Sequence, residues 1–350
     1  MIFESGGKPS RRLPAEWENE GAILLSWPHE DTDWAGMLVR VTKCYVALSK
    51  AIIESGQKLI IVAPDTTLPR KLLASLPRDR VIFADVPTND TWTRDFGPIT
   101  VEDCDGTPVI VDFKFNGWGL KFAADRDNLI TGNLVKRGLF RGRYDNQLSF
   151  VLEGGSIESD GKGTLMTTSE CLLSPNRNGG MSKEEIEATL RRVLGVSHIL
   201  WVDHGGLEGD DTDSHIDTLA RLAPDNTIIY TGCDNEADNH YLPLKAMEKQ
   251  LSELRTPDGQ KYNLVRLPLP DPEYDDEGNR IPATYANYLV TPGAVLMPSY
   301  GQPQNDRLAA MILHAVWSRK VIAVDCRALI QQHGSLHCAT MQVPSGILCF

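Results

Sequence analysis

The stretch Met37-Leu-Val-Arg-Val-Thr-Lys-Cys-Tyr-Val-Ala-Leu-Ser-Lys-Ala-Ile-Ile-Glu-Ser-Gly56, followed almost at once by Lys58-Leu-Ile-Ile-Val-Ala63, reads as a helix feeding directly into a buried strand. Within residues 35–55, Met37, Val41, Cys44, Leu48 and Ile52 recur at helical spacing, and Gly56 offers a C-terminal cap. The same order returns twice. Residues 182–194 form an amphipathic helix with Ser182 and Glu185 as a capping box, and Gly195 precedes the strand His198-Ile-Leu-Trp-Val202. Residues 305–319 read as a third helix, followed by the strand Val321-Ile-Ala-Val-Asp325. Further strands are predicted at 22–27, 80–86, 108–113, 147–152, 163–168, 215–222, 227–231, 262–269 and 294–298. The alternation predicts an α/β protein built from ββαβ-like units of about 60–70 residues. The Pro- and Asp-rich segment 270–284 is the most loop-like, and at that length it is a surface excursion rather than a linker. Residues 1–350 are therefore expected to form one domain.

Composition narrows the function. A chain of 350 residues can bury a large core, and 41% apolar with 23% charged residues is ordinary for a soluble globular protein. A net charge of −12 argues against a nucleic-acid surface, which needs clustered Lys and Arg, and suits a small cation better. No secretory signal is read in Met1–Pro14, and no run approaches the 18 or so apolar residues of a membrane span. The seven cysteines, Cys44, Cys104, Cys171, Cys233, Cys326, Cys338 and Cys349, are scattered and form no CxxC pair. A cytoplasmic chain with free thiols is expected, without a disulfide framework or zinc ribbon.

Four segments combine glycine with polar residues in ways a plain core does not require. In Trp92-Thr-Arg-Asp-Phe-Gly-Pro98 the Gly-Pro turn presents Asp95 beside the aromatic face of Trp92, a pairing suited to a flat cation. The plain alternative is a turn in which Arg94 and Asp95 pair with each other. In Val151-Leu-Glu-Gly-Gly155, Glu153 stands at a strand end where two glycines let backbone approach a ligand. In Gly209-Asp-Asp-Thr-Asp-Ser-His-Ile-Asp-Thr-Leu219, His215 and Asp217 are two apart and share one face if the segment is a strand. A calcium loop fails there, because the sixth and twelfth positions are Ile216 and Leu222. In His333-Gly-Ser-Leu-His-Cys-Ala-Thr340, Cys338 follows a glycine turn. Its neighbour His337 would point to the opposite face of a strand, which leaves His215 as the better base.

Together with Pro14-Ala-Glu-Trp17, Leu25-Ser-Trp-Pro28 and Leu336-His-Cys338, these segments resemble, in order, the agmatine deiminase branch of the guanidine-modifying superfamily. The resemblance spans essentially the whole chain. It implies a five-bladed α/β propeller (pentein) with pseudo-fivefold repeats and an active site in the central channel. It also implies hydrolysis of agmatine, a small cationic guanidinium substrate, by a homo-oligomer that uses no cofactor and no metal. Carried over, Cys338 matches the nucleophile and His215 the general acid/base. Asp95 and Asp217 match the carboxylates that hold the guanidinium, and Glu153 the carboxylate behind His215. Trp92 and Asp211 match positions near the substrate's amine end, and Arg94 is counted with the substrate-binding set. The chain departs from the family's Gly-Gly-Gly-Asn-Ile-His-Cys by having His333, Ser335 and Leu336, and has Asp211 where Glu is frequent. Rival readings are a peptidylarginine deiminase, an amidinotransferase, a non-catalytic binding module of the same fold, and a metal-dependent hydrolase on the Asp210–Asp217 loop.

Overall fold

In the computed structural model, which describes residues 11–350, the helix Leu38–Glu54 packs between strands Lys58–Ala63 and Lys320–Asp325. It buries Val41, Cys44, Tyr45, Leu48 and Ile52, the stripe its spacing demands. The capping box at Ser182 also forms: its hydroxyl accepts from the Glu185 N–H at 3.3 Å, and its own N–H donates to the Glu185 carboxylate at 2.7 Å. Gly195 closes that helix at φ +72°, a left-handed conformation that glycine adopts without Cβ strain.

The strands form five sheets of three or four strands, plus a two-stranded hairpin. All five sheets repeat one scheme: an antiparallel pair, then a parallel pair joined by a helical crossover. Pro108–Lys114 runs antiparallel to Ile99–Asp103 and parallel to Arg143–Val151, with helix Ile130–Lys136 between. Thr164–Thr168 pairs likewise with Ile157–Ser159 and His198–Val202 across helix Lys183–Leu194. Thr227–Gly232 pairs with Ala220–Ala223 and Asn263–Pro268 across Tyr241–Glu253. Ala294–Ser299 pairs with Leu289–Val290 and Lys320–Asp325 across Pro303–Trp317. The fifth sheet joins the two ends of the chain. In it Gly21–Ser26 lies antiparallel to Met341–Pro344 and parallel to Lys58–Ala63, which carries Val81–Asp85. A parallel pair cannot be closed by a tight turn, so each of these steps needs its helix.

The segment 270–284 is a loop carrying the hairpin Glu273–Tyr274 and Arg280–Ile281. Within 215–222 only Ala220–Ala223 is a strand; Ile216–Leu219 is a single helical turn with His215 at its N-cap. The turn forms because the His215 carbonyl accepts both the Thr218 N–H and its hydroxyl, at 3.2 and 2.8 Å. No helix is long and apolar enough to cross a membrane, among the described residues.

The five connections between sheets, residues 86–98, 152–156, 203–219, 269–288 and 326–340, are where the polar buried residues gather.

Candidate active site

Asp95 lies on the one-turn helix Thr93–Phe96. That turn is stitched to the turn holding Cys338: the Arg94 N–H donates to the Cys338 carbonyl at 3.1 Å, and the Thr93 hydroxyl donates to the Ala339 carbonyl at 2.8 Å. Two turns far apart in sequence thus become one rigid unit. Asp95 receives the Trp118 indole N–H on Oδ2 at 2.9 Å and the Gly155 N–H on Oδ1 at 3.0 Å.

Gly155 explains the Glu-Gly-Gly sequence. A Cβ at this position would lie 2.7 Å from His215 Nδ1, 2.9 Å from Asp95 Oδ1 and 3.1 Å from Asp217 Oδ2. Three polar side chains converge on the space a methyl group would fill. A Cβ on Gly154 would sit 2.2 Å from the Arg94 carbonyl, so neither glycine tolerates a side chain.

Cys338 is 5% exposed on a turn, with its sulfur 3.9 Å from Asp217 Oδ2. It lines a cleft of roughly 660 Å³ together with Asp95, Trp92, Trp118, Asp211 and His333. His215, Asp217 and Glu153 lie beneath this floor, fully buried. His215 Nδ1 is 3.6 Å from Asp95 and Nε2 is 4.0 Å from Glu153 Oε2. Glu153 is gripped through both oxygens by Arg177 Nε, at 3.0 and 2.9 Å.

The electrostatics follow from burial beside acids. Burial, then Asp217, pushes the Asp95 carboxyl well above the ordinary range. Burial, then Asp217 and Asp95, holds the Cys338 thiol well above its usual value. His215 is driven down to about 3, chiefly by burial, so its imidazole is neutral. Asp217 moves the other way: burial opposes ionisation, but the hydrogen bond from His337 and its charge outweigh it. The surroundings therefore favour Asp217 as a carboxylate, Cys338 as a thiol and His215 as a neutral imidazole.

The expected residues divide as follows. Trp92, Asp95, Asp211 and Cys338 share the cleft, with His215, Asp217 and Glu153 directly under it. Arg94 does not belong with them, which corrects its assignment to substrate binding. Its guanidinium turns away to Glu16 at 3.1 Å and Gln342 at 2.6 Å, and it lines a different cavity with Arg12 and Glu16. Successive residues of a helical turn point roughly 100° apart, so Arg94 and Asp95 cannot both face one cleft. A buried cation also needs a carboxylate, and Glu16 provides it. His215 and Asp217 share the site without the strand expected of them, because the tight turn at His215 delivers both from the same loop.

That loop is shaped by its own acids. Asp210 accepts from the Thr212 hydroxyl at 2.6 Å and the Ser214 N–H at 2.7 Å, while Asp213 bridges Arg177 and Lys121. Asp213 and Ser214 both lie at positive φ, +63° and +61°, turning the chain back toward the site. These carboxylates are occupied by protein donors, which leaves the metal-hydrolase reading little to coordinate with. Glu153, Cys171 and His215 place ligand-type atoms within 4.8 Å of one another, but a cation there would face the Arg177 guanidinium.

Three residues escaped the sequence reading, Trp118, Arg177 and Asn287, and His337 was considered there only as a base for Cys338. Trp118 sits between two glycines in Asn116-Gly-Trp-Gly119, at φ +54°, and that flanking was its available signal. His337 donates from Nδ1 to Asp217 at 2.7 Å and meets Glu16 through Nε2 at 2.5 Å. Asn287 touches the Cys338 sulfur. At the cleft mouth, His333 stands at φ +66° with Nδ1 2.6 Å from the Gly209 carbonyl, tying the cysteine turn to the acidic loop. Gly334 beside it is required, because a Cβ there would lie 2.4 Å from the Trp92 ring.

Known proteins share this architecture throughout. The agmatine deiminase of Pseudomonas aeruginosa (strain LESB58) is 31% identical over 356 residues, covering 95% of each chain. A substrate-bound cysteine-to-serine variant of C. jejuni agmatine deiminase superposes with a TM-score of 0.88 at 36% identity, covering 97% of this chain and 98% of that one. The agmatine deiminase of Enterococcus faecalis gives a TM-score of 0.87 at 27% identity, again over 97% and 98%. Residues 12–344 match the sequence profile of the Porphyromonas-type peptidyl-arginine deiminases, and the chain belongs to that family.

Proposed function

We propose that this chain is an agmatine deiminase, converting agmatine and water to N-carbamoylputrescine and ammonia. The observation that carries the reading is the thiol of Cys338, 3.9 Å from Asp217 and sharing a cleft with Asp95. A guanidinium is planar and cationic, and two carboxylates can grip it by paired charge-assisted hydrogen bonds. Its arrival would ionise Asp95 and favour the Cys338 thiolate, which attacks the guanidinium carbon. The displaced thiol proton, carried by His215, goes to the departing nitrogen, so that ammonia leaves. The remaining Cys338 thiouronium is hydrolysed by water that His215 deprotonates, and the C–S bond breaks to restore the thiol. Glu153, itself held by Arg177, places a carboxylate 4.0 Å from His215 Nε2, where it would stabilise the protonated imidazole.

The outer cleft supports a substrate with an amine tail. Asp33, Asp90 and Asp211 line it beside Trp92, Trp118 and Phe122, a setting favourable to an ammonium and hostile to a second carboxylate. Burial raises Asp211 to about 6, with His333 opposing, and an ammonium beside it would favour ionisation. The α-carboxylate of free or C-terminal arginine would be repelled by these three carboxylates, with His333 the one lining side chain able to offset them. We further take the five like-built sheets as the blades of a single five-bladed α/β propeller in a cytoplasmic enzyme. Each inter-sheet connection sends at least one residue to one centre, as a central channel requires.

A panel of agmatine, free arginine and arginine-containing peptides, scored by ammonia release, tests the reading. Agmatine should be preferred by two or more orders of magnitude in kcat/KM, and comparable turnover of a C-terminal-arginine peptide would replace this assignment with a peptidylarginine deiminase.

A further inference from the structure

Four of the five inter-sheet connections supply residues already given a role: Asp95, Glu153, His215 with Asp217, and Cys338. The fourth connection, residues 269–288, supplies Asn287, which is completely buried. Its amide is oriented without ambiguity. The Oδ1 atom accepts the His337 N–H at 2.9 Å and the Cys338 N–H at 3.3 Å, so the oxygen must face those two backbone donors. The Nδ2 atom is then left 3.2 Å from the Cys338 sulfur, with Oδ1 itself 3.4 Å from that sulfur.

The geometry points to Asn287 as a catalytic residue of this site: it donates a hydrogen bond from Nδ2 to the Cys338 sulfur and stabilises the thiolate that attacks. This rests on Cys338 being the nucleophile. Three features support it. The charged groups that face the sulfur, Asp217 and Asp95, are acids and disfavour a sulfur anion. Among the described residues, Asn287 is the one side-chain donor recorded at the sulfur, and the sulfur is the one partner recorded for Nδ2. A buried amide N–H is costly unless it is bonded, so simple packing would be better served by leucine. The same amide serves both states of the sulfur: Oδ1 can accept from the thiol S–H, and Nδ2–H can donate once that proton has left. No group has to move as charge appears, which is the condition for preorganised electrostatic catalysis.

The Asn287→Asp variant separates this role from a structural one. The carboxylate keeps an oxygen for the His337 and Cys338 N–H groups but turns its second oxygen toward the sulfur. Alkylation of Cys338 by iodoacetamide, followed across pH by peptide mass spectrometry, reads the thiolate directly and resolves it from the exposed Cys104 and Cys349. The midpoint for Cys338 should rise by one pH unit or more, and kcat should fall about 10- to 100-fold, as for losing a hydrogen bond to a charged group. A midpoint and kcat equal to wild type would show that Asn287 only anchors the backbone and would overturn the inference. If Asn287→Asp does not fold, Asn287→Ala is read in the same way, and an unshifted midpoint there overturns it equally. Full activity in Cys338→Ser would instead remove the nucleophile, a failure of the broader reading that this second measurement distinguishes.

Discussion

His337 holds Asp217 from behind, with Nδ1 2.7 Å from Oδ2, and is itself backed by Glu16 at 2.5 Å and Arg221 at 3.0 Å. The histidine adjacent to Cys338 thus serves the carboxylate instead of the sulfur. Asp217 keeps its other oxygen, Oδ1, without a protein partner among the described residues, free to receive a substrate N–H. His337→Ala should cost about 1.5–3 kcal/mol of substrate-dependent stabilisation, the usual worth of a hydrogen bond to a charged group, or about 10- to 100-fold in kcat/KM. Steady-state kinetics on agmatine check this, and an unchanged kcat/KM would mean that Asp217 orients itself.

Gly155→Ala should abolish turnover while costing about 1–3 kcal/mol of stability, the range for an overpacked site. The added methyl has no room among His215, Asp95 and Asp217, and yielding on any side displaces a group proposed to act on substrate. Ammonia release together with a denaturant midpoint tests both halves. An active Gly155→Ala enzyme would show that these three side chains need not converge.

Arg177 neutralises Glu153 where no water can, with both side chains fully buried. Removing one partner of such a pair leaves an uncompensated charge, so Arg177→Gln should destabilise the protein by about 3–5 kcal/mol. The same change frees Thr212 and Asp213, which Arg177 also binds, at 2.7 and 2.5 Å, and so loosens the loop carrying His215. Urea unfolding gives the stability, and KM for agmatine gives the loop. A stability loss under 1 kcal/mol would mean that Glu153 simply takes up a proton in the variant.

What the sequence made legible was set by range. The Leu38–Glu54 helix and Lys58–Ala63 strand depend on contacts whose pattern lies within the segment, so periodicity exposes them. The short edge strands Ile157–Ser159 and Leu289–Val290 exist only because a partner strand is adjacent, and two or three residues carry no period. The site followed the same rule. Cys338, His215, Asp95 and Glu153 announced themselves through glycine-flanked polar motifs, whereas Asn287, in Tyr285-Ala-Asn-Tyr288, has no such flanking. Arg94 sits next to Asp95 in the motif, but a helical turn points the two side chains apart and Arg94 goes to Glu16. His215 and Asp217 came together through a turn, although a strand had been expected there.

Substrate binding should release protons. In the free enzyme Asp95 and the Cys338 thiol hold their protons to unusually high pH, because burial and Asp217 disfavour their anions. A bound guanidinium reverses that preference. The substrate therefore selects the deprotonated form, and its apparent affinity rises with pH until these groups ionise unaided, by up to tenfold per pH unit for each proton released. Cys338→Ser, which should bind agmatine without turnover, isolates the carboxyl. Calorimetric titration of that variant in two buffers of different ionisation enthalpy should show net proton release near neutral pH, and Asp95→Asn in the same background should reduce it. Binding heats independent of buffer, or proton uptake, would mean that Asp95 is already ionised before the cation arrives.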